Sequence, residues 1–350
     1  MCMTDVRARF AADELAIVLS HYDLGFIHDI REFPRGSHLA AKLIISTDKS
    51  KYILKRRPKG KDDPRKVAFA HALQLYLAEK NFPLPHLVGT RRDNNSMLKI
   101  GDAIYEVFEF IDGGPYDMGL LPTYQAGKTL GLYHQLVKDY DSEYEPPPGT
   151  YHAAKSVHDS IPRMGEVLRT RPSAEGRERE LNATVAQLRE IYAMAAGAAN
   201  EAGLPKWAPQ IIHSDWHPGN MIFDKGHVVA VIDYDAAREA PRVVDIANGC
   251  LQFSLVTGDR DVATWEDRTD MERARRFLRG YDEMAVLTHA ELKVIPLLMQ
   301  EALIAQAISP ILKRGTFAGL DGFDFLKMLL RKLAWLQANA GVFELDSQEG

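Results

Sequence analysis

"QIIHSDWHPGNMIFDKGHVVAVIDYD" (residues 210–235) contains two short apolar runs, NMIF and VVAVI, joined by the turn DKGH. Apolar runs bounded by turn residues predict two antiparallel strands. Gly226 suits the positive φ that a tight hairpin turn often needs. Residues equidistant from such a turn face each other, so Asn220, just before the first strand, comes within a residue or two of Asp233, just after the second. Asp215 lies five residues before Asn220, in the loop that feeds the hairpin. A carboxylate, an amide oxygen and a second carboxylate therefore converge on one point.

Two chemistries compete for that point. Hard cations such as Mg²⁺ take oxygen ligands and keep several waters; Asn220 and Asp233 offer two such oxygens. Asp215 then remains free, ionised at neutral pH, to accept or orient a hydroxyl proton. The spacing H-x-D-x-x-x-x-N, followed by a strand that ends in Asp, is the arrangement of phosphoryl-transfer sites. Alternatively His213, Asp215 and His217 alternate, share one face of an extended segment and suit a transition metal. That reading leaves Asn220, the hairpin and Asp233 unexplained, and Pro218–Gly219 breaks the strand at His217. A purely structural cluster is the third reading.

The chain has 350 residues, room for one large or two modest domains. Its net charge of −5 argues against a nucleic-acid partner, whose footprint is basic. The basic run KRRPKGKDDPRK reads as a solvated loop. Cys2 and Cys250 imply no disulfide framework and point to a reducing, cytoplasmic setting. MCMTDVRARF lacks the apolar core of a signal segment. VIPLLM is too short an apolar run to span a bilayer, so no membrane association is expected.

Around the central stretch the texture changes once. Residues 13–22 have helical spacing; LGFIHDIREF, AAKLIIST and KYILKRR then read as strands. Residues 65–80 read as a helix stopped by the prolines of NFPLP, and HLVGT, SMLKI and IYEVFEF return to strand character. At IDGGPYD the glycines mark a linker. Beyond it 123–140, 181–196, 271–284, 289–313 and 322–339 read as helices. The expected architecture is α+β, with a small antiparallel β-rich lobe (1–110) and a larger, mainly helical lobe (111–350).

HSDWHPGNMIFD, then VIDYDAAREAPRVVDIA, resembles the catalytic and metal-binding segments of the aminoglycoside phosphotransferase and choline kinase family, whose kin include homoserine and methylthioribose kinases. Ser214 stands where the family usually has glycine. LGLYHQL (130–136) is similar to the family's helix motif ending in Leu-His. The resemblance covers about residues 25–250. It implies a bilobal protein-kinase-like fold and ATP- and Mg²⁺-dependent transfer of the γ-phosphoryl group to a hydroxyl. It makes Asp215 the catalytic base and Asn220 and Asp233 the Mg²⁺ ligands, with His213 and Asp245 holding the catalytic loop.

The nucleotide would meet Lys55, which shares a strand face with Ile53. It would also meet the loop PRGSHLA through Gly36 and Ser37, and the hinge FEFIDG through Glu109 and Ile111. A strand lysine in such lobes usually pairs with a helix glutamate. Here the only helix glutamate, Glu79, lies in the last turn, which leaves His71, Gln74 or an acid of KDDP as its expected substitute. The motif DYD is followed almost at once by APR, leaving no room for a regulated activation segment. A small hydroxyl-bearing acceptor is therefore expected: an amino alcohol, an amino sugar or a homoserine-like acid. Trp216, His217, Asp235 and Glu239 would line its pocket, walled by Trp265 and Trp335. The rival expectation is a kinase-like protein without transfer activity, serving as a binding or structural module.

Overall fold

The computed structural model describes residues 8–33, 36, 39–259 and 261–345. The first helix, α1 (Ala12–Leu19), leads into strands β1 (Ile27–Glu32), β2 (Lys42–Thr47) and β3 (Lys51–Arg56). Helix α2 (Pro64–Glu79) follows, with Asp63 capping it through Arg65 N–H and Pro64 preset for its first turn. Strands β4 (Leu98–Ile100) and β5 (Ala103–Glu109) complete a five-stranded sheet of order β1-β2-β3-β5-β4. HLVGT contributes only an isolated bridge, Leu87 to Phe108, because the prolines ahead of it interrupt a ladder.

Beyond the linker the chain is mainly helical. Helices α3 (Leu120–Leu136), α4 (Lys155–Arg169) and α5 (Glu178–Glu201) precede β6 (Pro209–Ile212), β7 (Met221–Asp224), β8 (His227–Val231) and β9 (Arg238–Pro241). Then come α6 (Val243–Ser254), α7 (Met271–Met284), α8 (His289–Arg314), a minimal hairpin of β10 (Thr316–Phe317) and β11 (Leu320–Asp321), α9 (Gly322–Ala338) and α10 (Val342–Leu345). The expected hairpin is present as β7–β8, with Met221 facing Val231. A second ribbon, β6–β9, pairs Ile212 with Arg238 and was not anticipated from the sequence.

Two apolar cores form. One side of the sheet (Leu43, Ile45, Leu54, Val107) packs with Val18, Tyr22 and Leu24. The other core holds the helices and also takes Phe69, Ala70, Leu73 and Leu77, so α2 buries its apolar face in the helical core. Helices α3 and α7 touch backbone to backbone: a Cβ on Gly127 would collide with Phe277 O, and one on Gly280 with Tyr124 O. That contact sets His134 of α3 against Tyr281 of α7, Nδ1 to the phenol oxygen at 2.9 Å.

VIPLLM lies inside α8, a helix long and apolar enough to cross a membrane by length and composition. Its residues Val294, Ile295, Leu298, Met299 and Ile304 are all fully buried in the helical core. The other helices of this core cover them, so the apolarity of α8 is that of a core helix.

Candidate active site

Strand β6 delivers the loop 213–220, and Asp245 from the first turn of α6 ties it down. Asp245 Oδ2 accepts from His213 N–H at 2.7 Å and Oδ1 from Ser214 N–H at 2.8 Å. A fully buried carboxylate satisfied by two backbone donors fixes a turn firmly. His134 Nε2 stands 3.5 Å from the same carboxylate, which gives the Leu-His motif of α3 its place behind the loop. Ser214 has φ +64, left-handed backbone that favours glycine, which explains the family's usual residue there.

His213 is fully buried. Its Nδ1 accepts from Asp215 N–H (3.3 Å), and its Nε2 donates to Ile232 O (3.3 Å), joining the loop to the end of the hairpin. Burial lowers its pKa against the pull of the nearby Asp245, Asp215 and Asp233, so the ring is neutral. With both nitrogens engaged in holding backbone, His213 has none left for a transition metal. His217 Nδ1 likewise accepts from Gly219 N–H at 3.0 Å. Among the described residues no group of three or more His, Cys, Asp or Glu side chains gathers as a metal cluster.

Asp215 is half-exposed. Burial would raise its pKa, but His217 (Nε2 at 3.6 Å), His213 and Asn220 outweigh this and hold it below the usual carboxylate range. Asn220 Nδ2 donates to both Asp215 O (3.0 Å) and Asp215 Oδ2 (2.9 Å). With its nitrogen so committed, the amide turns Oδ1 away as a free acceptor. Asn220 O also accepts from Ile232 N–H at 2.9 Å, so the residue after Ile232, Asp233, emerges beside it. Asp233 is exposed, has φ +65 and makes no hydrogen bond through its side chain among the described residues. Two hard oxygen donors without protein partners fit Mg²⁺ completed by phosphate and water.

Lys55 lies on β3, half-buried, with Tyr52 and Leu54 turned to the opposite, core side. Its partner comes from an unexpected place. Lys55 and Glu106 are direct cross-strand partners in the β3–β5 ladder, with Nζ 3.5 Å from Glu106 Oε2. Glu106 is fully buried. Burial would raise its pKa, but Lys55, His71 and Arg57 hold it far below the carboxylate range. His71 therefore meets the carboxylate and not the lysine: its Nε2 donates to Glu106 Oε1 at 2.6 Å, and Nδ1 accepts from Ser96 Oγ at 2.9 Å. Gln74 folds back onto Ala70 O, Asp63 caps α2 and Asp62 accepts from Gly60 N–H, so none of them serves Lys55.

Arg57 completes this cluster. Its Nε donates to Glu106 Oε1 (2.8 Å), while Nη1 and Nη2 grip Asp235 (3.0 and 2.8 Å). Asp235, also 4.0 Å from Lys55 Nζ, thus joins the sheet to the turn after Asp233 and does not face an acceptor pocket. Neither Arg57 nor Glu106 was picked out from the sequence, where Arg57 looks like one more charge of the basic run at the end of β3 and Glu106 like a polar residue in a largely apolar strand.

The remaining expected positions divide. Trp216 is fully buried against His213 and Tyr133, so it is core and no pocket wall. Glu239 is exposed on β9. Trp265 and Trp335 are partly buried against the helical core. Gly36 is exposed with φ +77, left-handed backbone that favours glycine, whereas Ser37 lies outside the described residues. At the hinge, Glu109 N–H donates to His86 O and Phe110 N–H to Lys51 O. Ile111 N–H is left without a backbone acceptor among the described residues.

The model of the phosphotransferase enzyme family matches residues 29–292. Homoserine kinase of Rhodopseudomonas palustris is 24% identical over 296 residues, covering 83% of this chain and 81% of its own length. Among solved structures, an aminoglycoside phosphotransferase of Alicyclobacillus acidocaldarius superposes with TM-score 0.67 at 16% identity, over 95% of this chain and 96% of that one. Amicoumacin kinase hAmiN, in complex with AMP-PNP, Ca²⁺ and Ami, gives 0.65 at 16% identity, over 97% and 96%. The fold is kinase-like. The chain belongs to the phosphotransferase enzyme family, and by class it is a small-molecule kinase.

Proposed function

We propose that this protein moves the γ-phosphoryl group of ATP to a hydroxyl of a small acceptor, with residues 1–110 as the nucleotide lobe and 111–350 as the catalytic and acceptor lobe. The observation that carries this reading is the convergence of Asp215, Asn220 and Asp233 at the mouth of β7–β8, with Asn220 Nδ2 bonded to Asp215. Asp215 accepts the acceptor's hydroxyl proton as its oxygen bonds to the γ-phosphorus; the bond from that phosphorus to the β–γ bridging oxygen breaks, and ADP leaves. Asn220 Oδ1 and Asp233 would hold Mg²⁺, whose charge when bound offsets that of the triphosphate. Lys55 meets the phosphates, Gly36 covers them, and the backbone of Glu109 to Ile111 receives the adenine. His213 and Asp245 keep the loop in shape.

The complex of the similar hAmiN with AMP-PNP and Ca²⁺ supports the use of a nucleotide with a divalent cation. The test is ATP consumption against amino alcohols, aminoglycosides, sugars and hydroxy amino acids, with D215N as blank. Turnover above that blank is expected with at least one acceptor. No turnover, together with no thermal shift on adding ATP and Mg²⁺, sinks the reading in favour of a scaffold.

A further inference from the structure

One charged side chain near the base is left with an unusual set of partners. The β6–β9 ladder places Arg238 opposite Ile212, the residue just ahead of His213 and three ahead of Asp215. Its Nε donates to Ala236 O and its Nη1 to Gly149 O, both at 2.8 Å. Both acceptors are neutral carbonyls. Among the described residues no carboxylate stands within ion-pair distance of Arg238, and its Nη2 has no hydrogen-bond partner. Burial lowers its pKa while Asp245 and Asp215 act to raise it, so the guanidinium remains cationic and lies within reach of the base's field.

Arg57 shows what a saturated arginine looks like in this molecule: two carboxylates occupy its fork. Arg238 has the same fork with one nitrogen, Nη2, open. Two carbonyls from separate loops, 149 and 236, pin it in place. A guanidinium so immobilised loses little further freedom when Nη2 donates to a carboxylate. The carboxylate that would have greeted a cationic acceptor, Asp235, is consumed by Arg57 and Lys55. Alternation along β9 sends Glu239 to the opposite face from Arg238.

We propose that Arg238 seats a carboxylate of the acceptor, so that the acceptor is a hydroxy acid or hydroxy amino acid and not a cationic amino alcohol or amino sugar. This rests on Asp215 being the base. The experiment measures ATP consumption by the full-length protein with L-homoserine and other hydroxy acids, each against its carboxyl-free counterpart, such as 3-aminopropan-1-ol.

Wild type is expected to favour the acids. R238A should raise the acid's KM on the order of 10- to 100-fold, as expected for losing a hydrogen bond to a charged group. The KM for ATP should stay unchanged, and the preference over the alcohol should collapse. R238K should recover part of the effect, and it serves as the test if R238A does not fold. Turnover confined to carboxyl-free acceptors sinks the inference and leaves the phosphotransferase reading intact, as does an R238A effect confined to ATP. Turnover of no acceptor at all sinks both.

Discussion

The molecule holds two charged clusters, and they are built in opposite ways. The first, Asp215 with His213, Asn220 and Asp245, is strung along little more than thirty residues and held mostly by bonds to backbone. The second, Lys55 with Arg57, His71, Glu106 and Asp235, draws on two strands, a helix and a turn that are far apart in the chain. It is held by side chains pairing with side chains. A backbone-anchored cluster tolerates a change of charge at its exposed tip. A side-chain cluster with a fully buried carboxylate at its centre does not, because each lost partner strands another charge.

That contrast can be broken at several points. D233A, beside the first cluster, should abolish Mg²⁺-dependent nucleotide binding with little loss of stability; calorimetric titration that still finds binding would remove Asp233 from the metal site. D215N should lower turnover by roughly 10²- to 10⁴-fold, the range for a positioned base, with nucleotide affinity nearly unchanged in the same titration. In the second cluster E106Q should weaken ATP use and also destabilise the fold by about 3–5 kcal/mol at neutral pH.

The pKa of Glu106 is depressed on folding. Its contribution is therefore full above the ordinary carboxylate value of 4.5 and is lost as pH falls towards the lower folded value. The gap between wild type and E106Q in chemical denaturation should accordingly shrink below pH 4.5, and a gap independent of pH would contradict the ion-pair account. The smallest effect is expected at Ser214. S214G relieves left-handed strain while keeping the backbone donor to Asp245, and should stabilise by about 1 kcal/mol.

The same contrast explains what could be read from the chain. Asp215, Asn220 and Asp233 were legible because one hairpin turn fixes their relation and pairing register does the rest. The helices α7, α8 and α9 were legible from periodicity. Glu106 was not, because its meaning depends on the register of two strands separated by a helix and fifty residues, and no local pattern records that. Trp216 misled because a residue next to a catalytic carboxylate looks solvent-facing until Tyr133 and His213 are seen to enclose it. Asp235 misled for a related reason: its partner Arg57 lies 178 residues away. Helix α4 was not read from the sequence because Pro162 interrupts it, although Ile161, Met164 and Leu168 recur at helical spacing on its buried face.

The facing positions of Lys55 and Glu106 also bear on control. Where a phosphate-binding lysine takes its counterion from a mobile helix, swinging that helix out disconnects the pair and silences the enzyme. Here lysine and counterion are woven into one fabric, and rocking α2 would disturb only the histidine that steadies the acid. With Lys55 in its proposed role at the phosphates, a molecule wired in this way lacks that means of being switched off.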